Sequence, residues 1–78
     1  MKLMRVESLD GTLLYAECTN DIPLFNGIWG KILLIEKLGN ADKQYGRCIG
    51  MIYEIRKECI SYISKKEFEQ AQKRIVFQ

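Results

Sequence analysis

An α+β fold is predicted for this 78-residue chain by three observations: two hairpin patterns and one strongly marked C-terminal helix. The expected architecture is a small antiparallel β-sheet built from hairpins over about 3–18 and 46–63, with a helix over about 65–75. Residues 22–38 are read as a second helix, which makes the order β-β-α-β-β-α. The alternative for that stretch is a fifth strand.

The first hairpin is signalled by Asp10-Gly11 between two apolar-rich stretches. A two-residue turn there would pair Val6 with Tyr15 and mix the faces. A three-residue loop, Leu9-Asp10-Gly11, puts Gly11 in the left-handed position and pairs Val6 with Leu14 and Met4 with Ala16. Met4, Val6, Leu14, Ala16 and Cys18 then share one face, so the odd loop is preferred.

The middle segment carries two patterns. Phe25, Ile28, Trp29, Ile32, Leu33 and Ile35 fall largely on one helical stripe, Asp21 suits an N-cap, and Gly39 suits the position after a helix end. Gly27 and Gly30 oppose this, each costing ~1 kcal/mol inside a helix. The helical reading is preferred; its rival is a loop through Gly30 and a buried strand over 31–37.

In the second hairpin, Ile49, Met51, Tyr53 and Ile55 alternate with Cys48, Gly50, Ile52 and Glu54. A tight turn at Arg56-Lys57 would pair Tyr53 with Ile60 and Met51 with Tyr62, matching apolar faces. Ser64-Lys65-Lys66-Glu67 is a capping box, and Phe68, Ala71 and Ile75 form a narrow apolar stripe.

One domain spanning 1–78 is all this length allows. A chain so short buries only about 60% of its unfolded surface, so its stability is expected to be marginal and self-association into a homodimer is expected. Twelve basic and ten acidic residues leave a net charge of +2, which neither demands nor excludes nucleic acid. The longest apolar run, Ile32–Ile35, is far short of the ~18 residues that span a bilayer. Cys18, Cys48 and Cys59 have no paired spacing and no signal peptide precedes them, so free thiols and a cytoplasmic location are expected.

Histidine is absent, which removes the commonest general base and most catalytic zinc sites. No cysteine has a nameable activating neighbour, and no glycine pattern makes a phosphate loop. No catalytic residue, metal site or cofactor is therefore expected. The expected function is a non-enzymatic binding or regulatory protein of adaptor or inhibitor type, acting through protein contact. Phe25, Ile28 and Trp29, beside Gly27 and Gly30, are its expected partner-binding residues, because aromatic anchors are enriched at interfaces. The alternative is a nucleic-acid-binding accessory module using Arg56, Lys57, Lys65 and Lys66, with Tyr45, Tyr53 or Tyr62 for stacking. A second alternative is a small-molecule or nucleotide site at a dimer cleft.

Overall fold

The computed structural model describes residues 2–8, 11–19, 27–36 and 49–76. They form an α+β fold with strands β1 (Leu3–Glu7), β2 (Leu13–Cys18), β3 (Gly27–Glu36), β4 (Ile52–Arg56) and β5 (Ile60–Ile63). A 3-10 turn, Lys57–Cys59, joins β4 to β5, and helix α1 (Lys65–Val76) comes last. The five strands make one antiparallel sheet in the order β4-β3-β2-β1-β5.

The first hairpin has the expected register: Val6 faces Leu14 and Met4 faces Ala16. Gly11 lies at φ 87°, the left-handed region that a side chain would strain. Its N–H donates to the Ser8 carbonyl at 3.0 Å, and the Ser8 N–H donates to the Thr12 carbonyl at 2.9 Å.

Residues 27–36 are strand, not helix, which corrects the preferred reading of 22–38; residues 22–26 and 37–38 lie outside the described residues. The helical pattern has a structural cause. Between the pairs Tyr15↔Leu34 and Ala16↔Ile32 the register shifts, leaving Leu33 as an extra residue on β3. Beyond that bulge the core side moves from Ile32 to Ile35. Ile28, Ile32 and Ile35 thus stand four and three residues apart, as on a helix, while Gly30 between them has no side chain to reveal the period of two. The glycines that argued against a helix serve the strand. A Cβ on Gly30 would lie 2.6 Å from Ile55 Cδ1 and 2.9 Å from Met4 Cε, and one on Gly27 would lie 2.6 Å from the Ile55 carbonyl oxygen.

The second hairpin does not form. β4 pairs with β3, with Tyr53 opposite Gly30 and Ile55 opposite Ile28. β5 pairs with β1, with Tyr62 opposite Met4 and Ile60 opposite Val6. In place of a tight turn stands the 3-10 turn, where the Ile60 N–H donates to the Lys57 carbonyl. β4 and β5 are therefore opposite edges of the sheet joined by three residues. A flat five-stranded sheet would hold its edges about 19 Å apart. Arg56 and Ile60 are four steps apart, which reach at most about 14 Å when extended and less in a 3-10 turn. The sheet must curl, and its concave side becomes the core. Met4, Val6, Ala16, Ile32, Ile35 and Ile55 are buried there, with Leu14, Cys18, Ile28, Cys59 and Ile60 packed around them.

Helix α1 covers the convex side. Its cap is as expected, the Glu67 N–H donating to Ser64 Oγ at 3.2 Å. Ala71 is 1% exposed, and Phe68 meets Tyr15 edge-on with ring centroids 6.5 Å apart. Tyr15 and Leu3, on the convex face, are buried.

Candidate interaction surface

Among the described residues, the large apolar side chains left in water are concentrated on one edge. Ile49, Met51, Ile52 and Tyr53 are 54%, 52%, 54% and 40% exposed, and all lie in or just before β4. Tyr62 on the opposite edge strand is 52% exposed, with Lys2 Nζ 5.0 Å from its ring centroid. Scattered exposed apolar residues are ordinary; four within five positions on an edge strand are not.

The local backbone explains the exposure. The Gly50 N–H donates to the Ile32 carbonyl at 2.8 Å, and the Ile32 N–H donates to the Met51 carbonyl at 3.0 Å. Two residues of the β4 arm thus answer one of β3, and Gly50, at φ 85°, absorbs the turn. From Met51 onward the antiparallel ladder alternates. Tyr53 and Ile55 exchange hydrogen bonds with Gly30 and Ile28, so the peptide groups of Ile52, Glu54 and Arg56 point off the sheet. Among the described residues, no strand pairs with that edge. Glu54 and Arg56 charge its second half, while Met51-Ile52-Tyr53 is uncharged.

An apolar cleft of about 370 Å³ opens beside this edge. Val6, Leu14, Ile32, Tyr53, Ile55 and Cys59 are among the residues that line it.

The expected partner-binding residues are not brought together. Phe25 lies outside the described residues. Ile28 packs against the concave core. Gly30 points its Cβ position at that same core, so Trp29, one residue earlier, turns to the convex side opposite Glu54. Trp29 is half-buried there.

The basic set is also divided. Arg56, Lys57, Lys65 and Lys66 are all exposed. The first two precede β5 and the last two come after it, so the length of that strand, about 10 Å, separates them. Exposed Glu54, Glu58, Glu67 and Glu69 are interspersed among them.

One polar cluster escapes any reading of the sequence, because its members are far apart in the chain. Tyr15 Oη donates to Glu36 Oε2 at 2.7 Å. Arg74 grips both oxygens of Glu36, Nε to Oε1 at 3.0 Å and Nη2 to Oε2 at 2.9 Å, and Nη2 also donates to Tyr15 Oη at 3.2 Å. The Arg74 guanidinium, hydrogen-bonded to Glu36, holds that carboxyl below the usual glutamate range despite its partial burial. Burial, and then the hydrogen bond to Glu36, push the Tyr15 hydroxyl up. A proton held more firmly on Tyr15 and an ionised Glu36 make a fixed donor and a fixed acceptor, and the cluster ties α1 to the sheet.

Cys18 and Cys59 are half-buried, and Cys48 lies outside the described residues. Among the described residues, no group of three or more His, Cys, Asp or Glu side chains could hold a metal ion. None of their helices is long and apolar enough to cross a membrane.

Comparison with protein-family models, with curated proteins and with solved structures finds no match for this chain.

Proposed function

We propose that this chain is a non-enzymatic binding or regulatory protein that acts through protein contact as a homodimer. The observation that carries the reading is the uncharged, half-exposed run Met51-Ile52-Tyr53 on a sheet edge whose outward peptide groups no described strand takes up. Such an edge is a template for another strand: main-chain hydrogen bonds supply affinity, and alternate side chains supply selectivity. The functional surface moves accordingly, from the segment around Trp29 to the β4 edge. The composition adds support, since a histidine-free chain lacks the commonest acid-base group. The free thiol of Cys59 suits a reducing, cytoplasmic setting.

The test is affinity purification of the tagged chain from its native source, with mass spectrometry of what accompanies it. The wild type should retain a defined protein through a rise in salt, and Ile52→Asp should lose it. Retention of nucleic acid, released as salt increases, would replace this reading with the nucleic-acid alternative.

A further inference from the structure

Resting on the protein-contact reading, we propose that β4 pairs antiparallel with β4 of a second copy, about a twofold axis passing between the two Tyr53 residues. A twofold interface must be complementary to itself. The strand meets that demand. Centred on Tyr53, its concave-side row Met51, Tyr53, Ile55 meets Ile55, Tyr53, Met51 of the partner strand, which is apolar at every position. On the other side Ile52 faces Glu54, and Arg56 faces Gly50, so no like charges stand directly opposite.

The backbone agrees with this register. Ile52 and Glu54 turn their peptide groups off the edge, so Ile52 and the partner's Glu54 form a hydrogen-bonded pair on each side of the axis. Tyr53 bonds inward to β3 and falls at the non-hydrogen-bonded position, where the two side chains come closest.

Registers centred further along β4 keep the backbone pattern and fail elsewhere. Centring on Glu54 sets two carboxylates face to face. Centring on Ile55 brings Glu54 to Arg56, but it drives the pairing into the 3-10 turn and leaves Ile49 to Ile52 in water.

The area suits a modest dimer. Ile49, Met51, Ile52 and Tyr53 each show about half of a side-chain surface of roughly 200 Å². They bring about 400 Å² per copy, or about 800 Å² in total before the backbone is added. Stable interfaces bury about 1,200–2,000 Å². Self-association through this edge is therefore expected to be weak and to depend on concentration.

The experiment uses the full chain with three substitutions, each checked for folding by circular dichroism. Sedimentation of the wild type should show a concentration-dependent monomer–dimer equilibrium. Tyr53→Lys, which sets two ammonium groups at the axis, should weaken it at least about tenfold. Under mild oxidation Tyr53→Cys should form a disulfide between the two introduced thiols, because non-hydrogen-bonded partners have Cα atoms ~4.5 Å apart, within disulfide range. Glu54→Cys should not, and the wild type controls for the native thiols.

A folded wild type that stays monomeric into the millimolar range overturns the proposal, as does a dimer indifferent to Tyr53→Lys. Linkage in Glu54→Cys but not in Tyr53→Cys overturns the register. A monomeric wild type that still captures a partner protein overturns the twofold alone and leaves the protein-contact reading standing. A dimer linked through Tyr53→Cys, with no partner captured, upholds the twofold and ends the wider regulatory reading.

Discussion

Arg74 near the end of α1 and Glu36 at the end of β3 are joined by two hydrogen bonds, 3.0 and 2.9 Å, through both carboxylate oxygens. This bidentate pair is the charged tie between the helix and the sheet, and Tyr15 completes it from β2.

The cluster predicts how stability varies with pH. Glu36 is held below its ordinary 4.5, so its contribution is fully present above that value and is lost as pH falls through the lowered one. Tyr15 is raised above its ordinary 10.0, so its contribution is present below that value and is lost as pH rises through the raised one. Glu36→Gln should lower the melting temperature at neutral pH, and the gap to wild type should narrow in acid. Tyr15→Phe should flatten the alkaline limb. Parallel melting curves across both limits would remove the cluster from the stability of the fold.

Ser64 caps α1 through the Glu67 N–H. Ser64→Ala should cost about 1 kcal/mol. Denaturant unfolding measures this directly, and an unchanged midpoint would show that the exposed cap is idle.

The two glycines of β3 should respond differently to alanine. At Gly30 the new methyl meets the ends of two flexible side chains, Ile55 and Met4, which can shift. Gly30→Ala should cost about 1–3 kcal/mol, as overpacking does. At Gly27 the methyl meets the Ile55 carbonyl, a backbone atom held in the sheet, so Gly27→Ala should be the more damaging. Equilibrium unfolding of both variants gives the order, and the reverse order would contradict the close approach of β3 and β4.

Trp29 is half-buried on the convex side, away from the concave core. Trp29→Ala should therefore cost less than the ~3–5 kcal/mol of a buried aromatic and should keep its circular dichroism spectrum. Unfolding on that change would return Trp29 to the core.

Local chemistry made the first hairpin and the last helix legible. Gly11 at the loop end and Ser64 three residues before Glu67 each have a short-range partner. The middle strand misleads because a bulge at Leu33 breaks the period of two and Gly30 hides it. The second hairpin misleads for another reason. On a curled sheet every strand turns one apolar face to the same interior, so Tyr53 and Ile60 match without being neighbours. Side-chain periodicity reports the face and not the partner. The exposed edge was present in the letters as Gly50 within an alternating run, a position that breaks a strand and frees the residues after it. The Tyr15, Glu36 and Arg74 cluster left no local trace, because its members meet only once the helix has docked.

The placement of β1 has a consequence for how the chain emerges during synthesis. β1 is made before the other described strands, yet one of its two neighbours is β5, the last of them. Until Ile60 to Ile63 arrive, Met4 and Val6 have only β2 beside them, and the concave side cannot close. Contacts between distant segments form slowly, since a long loop must first be closed. A nascent chain halted at Arg56 would leave the β1 edge bare and the concave side open. Such an intermediate is a target for proteases and for pairing with its neighbours, so the short Lys57–Cys59 connection also ends the period in which the growing chain is most exposed.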